Sequence, residues 1–200
     1  ELNPALTARA SAALRDVIHS LRRDGGSMTP SVYETAQVLR FCPETVEADK
    51  VLEWLLHCQQ PDGGWEDPAS PIYRDVPTLA ALLALQSCGP QPRVRAAVAA
   101  AQRFLEEQTT VVAPTDGEYL PVGMELVLPC LLDQAEESGF SVDRSRFQYV
   151  EEIGAQRSRM LAKHPPAPNS PPVFSWEAWG EKPDAELVGT AGVGHNPAAT

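Results

Sequence analysis

The stretch Lys50–Trp65, K-V-L-E-W-L-L-H-C-Q-Q-P-D-G-G-W, constrains this chain more than any other. Val51, Leu52, Leu55 and Leu56 fall on one stripe of a helix, with Lys50, Glu53 and His57 off it, and Pro61 stops the helix. Pro61-Asp62-Gly63-Gly64 then supplies a fixed φ, an Asx side chain and two residues tolerant of positive φ. The chain must therefore reverse there and return Trp65 against the helix end. Gln59 and Gln60 stand at the last helical turn, among carbonyls left without partners. Their amides can tie that end to the start of the following helix, so the element reads as a clamp between helices.

The rest of the chain repeats the same grammar. Asn3-Pro4 opens a helix that carries Leu6, Ala10, Leu14, Val17, Ile18 and Leu21 at helical spacing until Asp24-Gly25-Gly26. Thr29-Pro30 opens a second, through about Phe41, with Val32, Ala36 and Leu39 inward and Pro43 beyond it. A helix over Asp75–Cys88 is apolar nearly all round after Pro77, which predicts a central position, and Gly89-Pro90 ends it. The next runs from Arg93 to about Gln108, and its tail, Phe104-Leu105 before Gln108, echoes Trp54-Leu55 before Gln59. Such an echo marks an internal repeat of a helix pair. Thr109 to Leu120 reads as a loop holding Asp116 and Glu118; Pro121–Gly139 reads as a helix bent at Pro129, and about Asp143–Lys163 as the last one. Five prolines between 165 and 172 predict an extended segment, and Val173–Gly180 an aromatic cluster that packs.

Charge and composition exclude several classes. A net charge of −11 opposes a nucleic-acid partner, whose phosphates demand Lys and Arg. The longest uncharged apolar run, Val76–Leu85, is half of the ~20 residues a membrane span requires. Cys42, Cys58, Cys88 and Cys130 lie far apart beside apolar neighbours, as buried reduced thiols of a cytoplasmic protein would. His19, His57, His164 and His195 have no zinc-site spacing.

The order aromatic-aliphatic-x-x-x-Gln followed by Gly-x-Trp, here Trp54-Leu55, Gln59 and Gly63-Gly64-Trp65, resembles the repeat of the class II terpene cyclases. Ser31-Val32-Tyr33-Glu34-Thr35-Ala36 looks like the Ser-Ala-Tyr-Asp-Thr-Ala box near the start of class II diterpene cyclases. Pro71-Ile72-Tyr73-Arg74-Asp75 and Val122-Gly123-Met124-Glu125-Leu126 look like two more segments of that family, in the same order. His195-Asn196-Pro197-Ala198-Ala199-Thr200 resembles its Ser-Pro-Ser-Ala-Thr box and starts a helix where the sequence stops. The resemblance is to the bacterial copalyl-diphosphate-synthase-like members and covers residues 5–200. It implies an amino-terminal, γ-domain fragment with an all-α fold, an α/α barrel of antiparallel helix pairs without a sheet. Residues 1–26 would be a first helix packing with a missing β domain, 27–164 the γ-domain barrel, and 165–200 a Pro-rich return toward the β domain.

The resemblance also implies a chemistry. Class II diterpene cyclases protonate geranylgeranyl diphosphate with an Asp of an Asp-x-Asp-Asp motif and cyclise it to a copalyl-type diphosphate. None of the ten aspartates of this chain forms that motif, so no catalytic acid is expected here and the fragment alone should be inert. It would instead supply part of the cavity and the diphosphate site. Glu125 matches the Glu of the family's Gly-Phe-Glu segment, and with Asp116 and Glu118 of the acidic loop it would serve Mg²⁺. Ala113 and Pro114 replace that loop's first acids. Arg157 stands where plant enzymes place a diphosphate-contacting Lys, with Arg159 beside it, and Arg keeps the charge and the phosphate fork. Taken singly, each also reads as a solvated charge on a helix face. Phe174 replaces a His that assists the final deprotonation in plant enzymes. Three other readings share features: a squalene-hopene-type triterpene cyclase, which uses the Gln…Gly-x-Trp repeat many times; a protein prenyltransferase β subunit, which needs zinc ligands; and a non-catalytic helical-repeat interaction module.

Overall fold

The computed structural model describes residues 30–114 and 120–163, helical positions 11, 12, 15, 16 and 19, and the pairs 188–189 and 192–193. Asp116 and Glu118, the Pro-rich segment, the aromatic cluster with Phe174 and the His195–Thr200 box lie outside the described residues. The chain divides into two units, Glu1–Ser31 and Val32–Thr200. In the first, Ser11, Ala12, Arg15, Asp16 and His19 are helical and exposed, the polar face expected opposite Leu14, Val17 and Ile18. Arg15 Nε donates back to the Ser11 carbonyl at 3.2 Å.

The second unit runs α1 (Val32–Phe41), α2 (Ala48–Cys58), α3 (Asp75–Ser87), α4 (Pro92–Glu107), α5 (Met124–Glu137) and α6 (Gln148–Leu161). Short 3-10 turns occupy Pro43–Thr45, Pro71–Tyr73 and Arg144–Phe147. α3 is the hub, packed against α1, α4 and α5, while α2 lies on α1 and α6 on α5. Every residue from Pro77 to Leu85 is buried, so α3 has no solvent face to keep polar. Each leucine fully removed from water contributes roughly 1.5–3 kcal/mol, and Leu79, Leu82 and Leu85 meet Leu128, Leu131 and Leu132 in one continuous core. No helix among the described residues is long and apolar enough to cross a membrane.

Helix ends depart from expectation by a few residues. The α5 helix begins at Met124 rather than Pro121, because Gly123 takes a φ of 79° and turns the chain into it. Residues 144–147 form a 3-10 turn rather than the first turn of α6; Asp143 accepts from Ser145 N at 3.0 Å and holds that tighter winding. The expectation of no sheet is corrected by a two-residue antiparallel ladder that pairs Val188 with Val193 and Gly189 with Gly192. Two valines flanking a four-residue Gly-containing stretch are too short a run for period-two patterning to show. None of the four cysteines is in a disulfide, yet none is fully buried, and Cys42 is exposed where α1 gives way to the Pro43 turn.

Candidate functional site

The clamp forms as the residues dictate, with one change of partner. Gln59 leaves α2 in an extended conformation, φ −63° and ψ 130°, and its Nε2 donates to the carbonyls of Gly63 and Ala97, each at 2.9 Å. It thus grips the second turn of α4 rather than the start of the next helix. Gln60 keeps its side chain at its own helix end, 3.4 Å from the Cys58 carbonyl. Gln108 ends α4 with nearly the same angles, φ −69° and ψ 121°, so the sequence echo is a structural one. Its Oε1 accepts from Thr110 N at 3.2 Å and spans no second helix.

Gly63 has a φ of 95°, and a Cβ there would overlap the Ala100 carbonyl oxygen and stand 2.6 Å from its carbon. Glycine therefore lets the turn lie directly on α4. Trp65 is fully buried; its N donates to Thr78 Oγ1 at 3.1 Å, and its Nε1 donates to the Leu55 carbonyl at 2.9 Å. Trp54 and Tyr33 are half-buried and pack against the same core. These motif residues build the scaffold.

Two buried arginines that sequence reasoning passed over hold that scaffold together. Arg74 Nε donates to the Trp65 carbonyl at 2.9 Å, its two Nη atoms grip Asp62 at 2.7 Å each, and its plane lies 4.5 Å over the Phe104 ring. The Arg74 hydrogen bonds hold the Asp62 carboxyl below its ordinary value. Arg146 Nη2 reaches both oxygens of Asp75, at 2.9 and 3.1 Å, and Arg146 Nε reaches the Thr110 carbonyl at 3.1 Å. Val112 N donates to the Arg146 carbonyl at 3.0 Å, so this residue pins the root of the loop that leads to Asp116 and Glu118. Arg146 Nη1 is buried without a partner among the described residues. Burial raises the Asp75 carboxyl against the pull of Arg146. A carboxylate directly after the Tyr-Arg of a helix start was the available signal, but its partner lies too far along the chain for spacing to name.

The candidate site residues fall on α5 and α6. Arg157 Nη1 donates to Glu125 Oε1 at 2.7 Å, with the Arg157 side chain 46% exposed and that of Glu125 12%. A guanidinium oriented in this way has the planar fork chemistry that suits carboxylate and phosphate oxygens. Arg159 is not brought to it: two residues on, it points to another face, exposed, with Nε on the Ala155 carbonyl at 3.1 Å. Among the described residues no group of three His, Cys, Asp or Glu converges as a metal cage.

No protein-family model matches the chain. It is 37% identical to a (+)-kolavenyl diphosphate synthase of Herpetosiphon aurantiacus over 94% of this chain and 39% of that protein. It is 27% identical to ent-copalyl diphosphate synthase 2 of Oryza sativa subsp. indica over 76% of this chain and 20% of that protein. Among solved structures, ent-copalyl diphosphate synthase from Arabidopsis thaliana superposes with a TM-score of 0.53 at 25% identity, over 78% of this chain and 23% of that one. Abietadiene synthase from Abies grandis superposes with a TM-score of 0.53 at 21% identity, over 80% of this chain and 22% of that one. The chain spans about two fifths of the length of curated relatives it matches over nearly its whole length. The fold is accordingly an all-α one of the α/α-barrel type seen in terpene cyclases. The ordered motifs, the clamp geometry and these likenesses agree: over the segment it spans, the chain is similar to the class II diterpene cyclases.

Proposed function

We propose that this chain forms the diphosphate-binding side of a class II diterpene cyclase that converts geranylgeranyl diphosphate to a copalyl-type diphosphate by protonation. The observation that carries the reading is the Glu125–Arg157 pair, two residues singled out independently and found 2.7 Å apart on neighbouring helices. Arg157 would bind diphosphate oxygens, and Glu125 would hold the guanidinium in place. The protonating acid would come from a β domain of the same enzyme, packed with residues 1–26 and 165–200, because no Asp-x-Asp-Asp motif occurs here.

Mg²⁺ commonly takes one or two carboxylates and completes its shell with water and substrate phosphates. Glu125 fits that modest demand as a single carboxylate whose 2.7 Å contact with Arg157 is made through Oε1. Asp116 and Glu118 would be the further ligands in this reading. When bound, the ion would neutralise diphosphate charge; the chain's own part is to orient Glu125 and Arg157 around the head group. Four cysteines outside any disulfide support a reducing, cytoplasmic setting, and the Herpetosiphon relative supports a bacterial one.

The test is kinetic, on the complete cyclase polypeptide. Glu125→Ala and Arg157→Ala should each lower kcat/KM for geranylgeranyl diphosphate roughly ten- to hundredfold, the worth of a charge-assisted contact of ~1.5–3 kcal/mol. The Glu125 variant should also need more Mg²⁺. Wild-type rates in both variants would sink the site assignment.

A further inference from the structure

We propose that Gly154 and Pro129 are positioning residues that set the Glu125–Arg157 pair. The use of that pair rests on the diphosphate reading above; its geometry does not. Pro129 lies inside α5, four residues after Glu125. A proline there has no N–H for the Glu125 carbonyl, and its ring crowds that oxygen off the helix. α6 crosses at this point. A Cβ on the buried Gly154 would overlap the Glu125 carbonyl oxygen, stand 3.1 Å from its carbon and lie 3.7 Å from Pro129 Cγ. Only glycine lets the α6 backbone seat on the displaced carbonyl. Arg157 follows Gly154 by three residues and so shares its side of α6, where Nη1 meets Glu125 Oε1 at 2.7 Å. Glu125 therefore acts twice, its backbone seating α6 and its side chain receiving the arginine that the seat delivers. Gly and Pro are each poor choices for a helix interior, and here each compensates the other.

A double-mutant cycle on this chain tests the proposal, read by denaturant unfolding and by calorimetric titration with inorganic pyrophosphate. Glu125→Gln and Arg157→Gln should be coupled in the parent and additive in the Gly154→Ala background, where the added methyl pushes α6 away. Pyrophosphate affinity should fall about tenfold in Gly154→Ala, and adding Arg157→Gln should then cost nothing more. Combining Gly154→Ala with Pro129→Ala returns an N–H to the Glu125 carbonyl and draws it inward, so folding and coupling should recover and affinity return to within about threefold. Coupling that survives Gly154→Ala overturns the proposal, as does a Gly154→Ala/Pro129→Ala chain no better folded than Gly154→Ala alone. If the coupling is lost and regained as expected while neither parent nor variants bind pyrophosphate, the seat stands and the diphosphate reading alone falls.

Discussion

Trp65 Nε1 donates to the carbonyl of Leu55, so the ring that follows the Pro-Asp-Gly-Gly turn closes back on the helix that precedes it. The indole satisfies a carbonyl near the end of α2 while filling a site with no solvent exposure. Trp65→Ala should therefore cost ~3–5 kcal/mol through lost transfer energy and a cavity. Trp65→Phe keeps most of the apolar area and should cost less, largely the orphaned Leu55 carbonyl, at about 1–3 kcal/mol. Urea unfolding of both variants measures the difference; a Trp65→Phe variant as stable as the parent would show that the hydrogen bond contributes nothing, and equal losses that the buried ring area contributes nothing.

The Asp75–Arg146 pair predicts strong non-additivity. Removing either partner of a buried ion pair leaves an uncompensated charge at a cost of about 3–5 kcal/mol, whereas replacing both with apolar groups is often near neutral. Asp75→Ala and Arg146→Met should each destabilise by that amount, and the double variant should lose far less than their sum. The loop pinned by Arg146 should loosen in all three, seen as faster amide exchange at Val112, whose N–H bonds the Arg146 carbonyl.

Acid should weaken the clamp through Asp62. Its folded-state carboxyl is lowered by Arg74, so its contribution is complete above the ordinary carboxylate value of 3.8 and is lost as pH falls through the lower folded value. Asp62→Asn removes this linkage. Thermal midpoints measured between about pH 5 and pH 2 should fall less steeply for Asp62→Asn than for the parent. Parallel slopes would exclude Asp62 as an acid-sensitive element. Asp75, raised by burial, has the opposite sign: the burial cost of its charge is relieved on protonation, so its part favours stability as pH falls.

Arg157 and Arg159 should separate sharply in function. Arg159 lies on another face of α6 from Glu125, so on the proposed diphosphate reading Arg159→Ala in the complete polypeptide should change kcat/KM by less than about twofold, an amount typical of surface substitutions. A loss at Arg159 equal to that at Arg157 would move the head-group site off the Glu125 face.

Much was legible in the sequence because it depends on neighbours along the chain. Helical periodicity, the stop at Pro61, the glycines of the turn, the burial of Trp65 and the all-round apolar α3 are local consequences of φ restriction and of where apolar residues recur. Even the likeness to class II diterpene cyclases followed from short motifs in a fixed order. Which atoms meet across the fold did not follow. Gln59 was expected at the next helix start and instead grips the Ala97 carbonyl; Asp75 found Arg146; and Arg157, but not Arg159, reached Glu125. The apolar neighbours of Cys42 did not keep it buried, because the helix ends before it. Periodicity says which stripe of a helix turns inward, but not where along that stripe another helix crosses. That height is set by contacts such as Gly154 on the Glu125 carbonyl, and it decides which side chains come within hydrogen-bonding distance.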